Sequence, residues 1–80
     1  MYSWEYMGDE QRQTADELPA EGAVAFQEFM TAASLNPWGI APDGSGNMPT
    51  VWFGNGRGMV SYLIRDEERV LYVTQILWLG

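Results

Sequence analysis

The sequence predicts one α+β domain over residues 1–80, in which a helical hairpin packs on a four-stranded, mainly antiparallel sheet with the order β-α-α-β-β-β. Three patterns predict this fold. Residues 2–6 alternate aromatic and polar side chains, as a half-buried strand does. Two segments with helical spacing follow. Residues 50–79 then form three strand-like runs separated by short turns, and such an arrangement gives an antiparallel meander.

The first strand and the first helix are separated by Gly8. The three aromatic residues of the strand fall on one of its faces because side chains alternate along a strand. Asp9 is expected to cap a helix over residues 9–18, since its carboxylate can accept hydrogen bonds from the free N–H groups of the first turn. Pro19 ends this helix.

The second helix is predicted over residues 21–35 from apolar side chains at spacings of three and four. Its stripe contains Phe26, Phe29, Met30 and Ala33. We expect the two phenylalanines and Met30 to be buried against the sheet, at Leu63, Leu71 or Val73. A long loop over residues 36–49, rich in Gly, Pro, Asn and Asp, follows the helix.

The meander is predicted as strands over residues 50–53, 59–64 and 69–79. Asn55 and Gly56 predict the first turn, and the charged residues 65–68 form the second. Strict alternation places Val60, Tyr62, Ile64, Tyr72, Ile76 and Trp78 on one face, and Met59, Leu63, Leu71, Val73, Leu77 and Leu79 on the other.

Both faces of the last two strands are therefore expected to be apolar and partly aromatic. Two helices cover only one face of a small sheet, and monomers rarely leave a large apolar patch exposed. We expect the other face to support a homodimer or to bind a protein partner. A loop folded over that face would cover its apolar side chains, and neither a homodimer nor a protein partner would then be expected there.

The composition excludes several classes of chemistry. The chain has no Cys, His or Lys, so thiolate and imidazole catalysis, a Schiff base, a P-loop lysine and the usual zinc ligands are all excluded. We therefore expect no cofactor and no metal. Gly54, Gly56 and Gly58 lie between two strands and indicate a hairpin turn instead of a dinucleotide site. Asp66 and its acidic neighbours favour a solvated turn over a cation site.

The charge is concentrated in the first half of the chain. The net charge is −7, and eight of the eleven acidic residues lie in residues 1–43 beside a single base, Arg12. This acidity either keeps a small domain soluble or docks a basic partner. Neither a signal peptide nor a stretch of membrane-spanning length is visible, so we expect a soluble, cytoplasmic protein without a membrane partner.

The candidate functional residues are Arg57, Tyr62 and Arg65. The planar guanidinium group suits phosphate, so Arg57 is a candidate for contact with an RNA backbone. Tyr62, with Tyr72 on the neighbouring strand, is open to two interpretations, stacking on a base or cross-strand pairing. The arginines could instead serve solubility or pair with the acidic residues of the turn.

One stretch resembles a known family. Residues 58–73, Gly-Met-Val-Ser-Tyr-Leu-Ile-Arg-Asp-Glu-Glu-Arg-Val-Leu-Tyr-Val, are similar to the hairpin of RelE/ParE-type toxins, in which a basic residue opens a strand, an acidic turn follows and a Val-rich strand closes the sheet. The preceding helical hairpin matches as well. The resemblance implies a small bacterial toxin neutralised by a cognate antitoxin. In that family the RelE branch cuts mRNA on the ribosome and the ParE branch poisons gyrase.

The resemblance carries over only in part. Arg57 lies at, or one residue before, the family's basic position. The basic residues expected near residues 50–53, and the basic residues and Tyr or His expected near residues 77–80, are missing. The resemblance thus implies a toxin-type component with weak ribosome-dependent mRNA cleavage through Arg57, and ribosome or mRNA is a partner only in that case. The alternatives are a non-catalytic acidic protein-binding domain with the same fold and, more distantly, an acidic mimic of nucleic acid.

Overall fold

The computed structural model describes residues 1–80 and confirms the α+β fold. Its elements are β1 (Ser3–Tyr6), α1 (Asp9–Asp16), α2 (Ala20–Leu35), β2 (Thr50–Phe53), β3 (Gly58–Arg65) and β4 (Val70–Trp78). The sheet order is β1-β4-β3-β2. Strand β1 runs parallel to β4, and the other two pairs are antiparallel.

Strand β1 is an edge strand that is fixed from two directions. The backbone N–H of Tyr2 donates to the carbonyl of Ser34 at 2.9 Å, which ties the strand to the end of α2. The N–H of Met7 donates to the carbonyl of Val73 at 2.9 Å. Two parallel strands can be joined only by a long crossover connection. The connection between β1 and β4 contains both helices of the helical hairpin.

Helix α1 is shorter than expected and begins without a side-chain cap. Gly8 is its N-cap residue, and Asp9 is already the first helical residue, so the predicted capping role of Asp9 is wrong. The carboxylate still lies in the first turn, where it interacts favourably with the helix dipole. Neither helix has the length and apolar character needed to cross a membrane.

The core lies between α2 and one face of the sheet. Phe26 and Met30 are almost fully buried, as expected. Phe29 is only half-buried, contrary to the prediction, because it lies at the edge of the apolar stripe over Phe53 and Tyr62. The buried apolar residues are Phe26, Met30, Ala33, Phe53, Val60, Tyr62, Ile64, Leu71, Val73 and Ile76.

A β-bulge at Thr74 corrects the predicted division of the faces. Ser61 pairs with Gln75 and Tyr62 pairs with Val73, so Thr74 is the extra residue of β4. Its hydroxyl donates to the Ser61 carbonyl at 3.1 Å. An extra residue reverses the alternation of the side chains beyond it. The helix-facing residues of β4 are therefore Leu71 and Val73 before the bulge and Ile76 and Trp78 after it, while Tyr72 and Leu77 face outward, as does Leu63 of β3.

The loop over residues 36–49 closes one edge of the core. Pro49 and Asn47 accept hydrogen bonds from the backbone N–H groups of Tyr62 at 3.2 Å and Ile64 at 2.7 Å. The end of the loop thereby continues the pairing of β2 with β3. Its start is held at Pro37, which is fully buried. These contacts keep the loop at the β3 edge and the helix side, so the opposite face of the sheet stays uncovered.

We expect Phe26→Ala to lower the free energy of unfolding by about 3–5 kcal/mol, as for other core Phe residues. Phe29→Ala should cost clearly less, since that ring is already partly exposed. Urea denaturation of the two variants checks the difference. Equal losses would contradict the facing of α2 described above.

Candidate functional site

Arg57 completes the turn between β2 and β3. Its backbone N–H donates to the carbonyl of Gly54 at 3.2 Å. Asn55 and Gly56 lie between them with φ values of 60° and 84°. Positive φ at both central residues is the requirement of a type I′ hairpin turn, so the turn predicted from Asn-Gly is confirmed.

The side chain of Arg57 is engaged within the molecule. Its guanidinium forms an ion pair with Glu21 at the start of α2. It also lies over the Trp78 ring, 5.1 Å from the ring centroid, in cation–π geometry. The hydrogen bond lowers the pKa of the Glu21 carboxyl and raises the pKa of Arg57. The charge of this arginine is therefore largely neutralised by its neighbours.

Tyr62 is a core residue. Its side chain is fully buried on the helix side of β3, and its hydroxyl donates to the Pro37 carbonyl at 3.1 Å. Burial raises the pKa of the Tyr62 phenol to about 12. Tyr72 faces the opposite side of the sheet, so the two tyrosines do not form the cross-strand pair that the sequence left open.

Arg65 lies at the far end of β3. It is partly exposed and pairs with Glu68 at 3.7 Å within the β3–β4 turn. Arg57 and Arg65 are eight residues apart along nearly extended chain, which corresponds to roughly 26 Å. With Tyr62 in the core between them, the structure does not bring the three candidate residues together into one site.

The remaining cations lie over aromatic rings. Arg69 lies over Tyr2 at 5.2 Å from the ring centroid, and Arg12 lies over Tyr6 at 5.3 Å. All four cations of the chain thus have partners. Stabilising the charge that develops during RNA cleavage needs cations directed at the reacting phosphate, and no cluster of this kind is formed.

The acidic turn is occupied by hydrogen bonds. Asp66 accepts from the Tyr2 hydroxyl and, at 3.0 Å, from the Trp38 indole N–H, and these two bonds lower the pKa of its carboxyl. Glu68 accepts from the Tyr72 hydroxyl at 3.0 Å. The turn carboxylates therefore fix the N-terminus and the long loop to the β3–β4 turn.

The uncovered side of the sheet carries an apolar surface that we call the open face. A first row of apolar side chains, nearest the β2–β3 turn, pairs Trp52 of β2 with Met59 of β3 and Met59 with Leu77 of β4. Trp52 is 55% exposed and Leu77 is 41% exposed. A second apolar row, nearer the β3–β4 turn, pairs Leu63 with Tyr72, and the polar residues Thr50, Ser61 and Gln75 lie between the two rows. The alternation of the strands predicted such a surface, but the bulge at Thr74 decides which residues form it.

A second surface, the edge groove, lies between α2 and the β2–β3 turn and has a volume of about 680 Å³. Ala25, Phe29, Phe53 and Trp78 form its apolar floor, and Glu21 and Glu28 lie on its rim. Sequence reasoning missed this groove because it depends on how α2 crosses the hairpin end of the sheet.

Comparison with solved structures supports the α+β fold described above. No family model and no curated protein matches the sequence. Among solved structures, the isolated E. coli RelE toxin is similar with a TM-score of 0.81 at 11% identity, over 100% of this chain and 86% of that chain. The intact E. coli RelBE toxin–antitoxin complex is similar with a TM-score of 0.81 at 11% identity, over 98% of this chain and 96% of that chain. The chain therefore has the RelE-type toxin fold.

The raised pKa of Tyr62 predicts alkaline destabilisation. The unfolded chain loses this proton near the ordinary value of 10.0, whereas the folded chain holds it to about 12. Stability contributed by the neutral phenol is therefore complete below pH 10 and falls as the pH rises towards 12. Urea denaturation between pH 10 and pH 12 measures how steeply the free energy of unfolding falls with pH.

Tyr62→Phe should remove part of that slope, although the lost hydrogen bond lowers stability at neutral pH by about 0.5–1.5 kcal/mol. Tyr72→Phe is the comparison variant: the hydrogen bond to Glu68 also raises the pKa of the Tyr72 phenol, but Tyr72 lies outside the core, so we expect the larger loss of slope in Tyr62→Phe. A slope that persists in Tyr62→Phe and disappears in Tyr72→Phe would contradict the assignment.

Proposed function

We propose that this chain is the toxin-type component of a type II toxin–antitoxin pair and acts in the bacterial cytoplasm. The observation that carries the proposal is the agreement of the whole chain with the RelE fold, at TM-scores of 0.81 over 98% or more of its length. One of the similar structures is a complex with an antitoxin. A cognate antitoxin is accordingly the partner proposed for this chain.

The open face is the proposed docking surface for that antitoxin. Trp52 and Leu77 expose large apolar groups there, and aromatic residues are typical anchors of protein interfaces. Of the strand residues on this side, only Glu5 and Arg65 are charged. A second copy of the chain is the other possible occupant, but two copies would bring together two net charges of −7.

Any ribonuclease activity of this toxin-type chain is proposed to be weak, ribosome-dependent and carried by Arg57. Cleavage through a 2′-hydroxyl needs a proton acceptor, a proton donor and cations around the phosphate. Arg57 is engaged by Glu21, and Tyr62 holds its proton in the core. An activity that depends on Arg57 would first have to break the ion pair with Glu21.

A non-catalytic acidic protein-binding domain is the second candidate. The separation of Arg57, Tyr62 and Arg65 favours it, because none of the predicted catalytic groups is close enough to another to share a substrate phosphate. This candidate keeps the fold and the docking surfaces and lacks RNA chemistry. It differs from the first in a measurable way, since it predicts no cleavage on the ribosome.

Induced expression in a bacterial host tests the first proposal, with growth and mRNA integrity followed together. We expect slower growth with weak mRNA cleavage, and we expect Arg57→Ala to reduce the cleavage by about a hundredfold or more, as for loss of one charge-stabilising donor. Arg12→Ala is the matched control, since Arg12 belongs to α1 and lies over Tyr6 of β1.

Three outcomes separate the candidates. Cleavage that falls with Arg57→Ala and not with Arg12→Ala supports the ribonuclease assignment. Strong cleavage that neither substitution changes would contradict the proposed role of Arg57. Normal growth and intact mRNA, in the absence of any antitoxin gene, would favour the non-catalytic binding domain.

Trp52→Ala tests the open face. We expect it to weaken binding of the antitoxin encoded beside this chain by about tenfold or more, the effect typical of a buried aromatic anchor. Leu35→Ala is the control, because Leu35 is 63% exposed at the end of α2, away from the open face. Calorimetric titration measures both variants, and equal losses would contradict the assignment. Light scattering that shows a stable dimer, dissociated by Trp52→Ala, would identify a second copy as the occupant.

A further inference from the structure

The edge groove combines an apolar floor with two carboxylates in a regular arrangement. Glu21 and Glu28 are each three and four residues from Val24 and Ala25, so these four residues form one stripe along α2. Val24 is 60% exposed between the two carboxylates. The groove volume of about 680 Å³ lies within the range of sites that bind small ligands and side chains.

The two carboxylates of the groove differ in their partners. Glu21 is paired with Arg57. Glu28 has no cation within salt-bridge distance, since the two ion pairs of the chain involve Glu21 and Glu68. The groove therefore offers one neutralised carboxylate at its N-terminal end and one unpaired carboxylate two helical turns further on.

Arg57 shows which chemistry fits this surface. Its guanidinium contacts a rim carboxylate and lies over the Trp78 ring that forms part of the floor. A guanidinium group combines both contacts because it is planar, always charged and weakly hydrated. Glu28 and Phe29 also line the groove, so a second carboxylate and a second aromatic ring are available to a ligand there.

We propose that the edge groove binds a basic, apolar segment of the partner protein, in which an arginine reaches Glu28 and neighbouring aliphatic side chains cover Val24 and Phe29. This proposal rests on the proposed function for the identity of the partner, a neutralising protein that contacts this chain. It adds a second contact, on the opposite side of the sheet from the open face, and assigns the chemistry of the segment that occupies it.

The charge distribution supports a basic occupant over a second copy of the chain. Residues 1–43, which include both helices, hold eight acidic residues and one basic residue. A negative field of this kind accelerates the approach of a basic segment and repels another acidic chain. The chain itself contains no lysine and only four arginines, all engaged, so it has no free basic segment to offer.

The probe is the capped peptide Ala-Leu-Arg-Leu-Arg-Ala, titrated into the isotope-labelled chain and followed by amide NMR shifts. We expect saturable shifts confined to residues 20–29 and 53–57 and to the Trp78 indole. Replacing both peptide arginines by glutamine, or both leucines by serine, should abolish saturable binding. Affinity should fall with added salt, because part of the attraction is between exposed charges.

Glu28→Gln provides the decisive variant. We expect it to weaken peptide binding by about two- to fivefold, within the range for one exposed ion pair. Glu67→Gln removes the same charge from the β3–β4 turn, which lies outside the groove, and should change the affinity by much less. Both residues are exposed on the surface, so neither substitution disturbs the core, and a thermal melt of each variant verifies this.

The proposal is overturned if the peptide does not bind, if the shifts spread over the whole acidic surface, or if the two variants weaken binding equally. These measurements use the purified chain and do not require growth arrest. A chain that arrests growth but does not bind the peptide overturns the groove assignment alone. Peptide binding without growth arrest supports the groove and contradicts the toxin role.

Discussion

The β-bulge at Thr74 decides which side chains this protein buries. Leu71 and Val73 face the helices, and the extra residue returns Ile76 and Trp78 to the same side. A regular strand would place one of these pairs on the opposite face, because side chains alternate with a period of two. Because of the bulge, β4 contributes side chains to the core along its whole length. It also brings Trp78 under the β2–β3 turn, where Arg57 lies over its ring.

Two surfaces of different character follow from this arrangement. The open face carries apolar side chains and few charges, whereas the two helices carry five acidic residues and a single base, Arg12. The edge groove lies at the boundary of the helix side, where Glu21 and Glu28 border an apolar floor. The open face therefore offers mainly apolar contacts, whereas the edge groove offers apolar contacts and negative charge together. A partner that contacts both surfaces would gain affinity mainly from the open face, and the charges of the edge groove would fix its orientation.

The fold of this chain and the chemistry of its side chains support different functions. The fold is that of the RelE toxin, but a fold supports many activities and the site decides among them. Here every arginine has a carboxylate or an aromatic ring as its partner, and the central tyrosine of β3 is a packing residue. Groups that are neutralised or buried stabilise the fold, and they are poorly placed to act on a phosphate. The fold thus supports the first proposed function, and the placement of these side chains supports the second.

The sequence by itself determined the element order, the turn at Asn55 and Gly56 and the identity of Phe26 and Met30 as core residues, because these depend on local spacing and turn chemistry. It also determined the absence of thiol, imidazole and lysine chemistry. Only the tertiary structure decided that Glu21 pairs with Arg57, that Phe29 is half-buried and that Tyr62 and Tyr72 lie on opposite faces. These features depend on strand register and on how α2 crosses the sheet, and both are set by contacts between residues far apart in the chain, which local spacing does not encode.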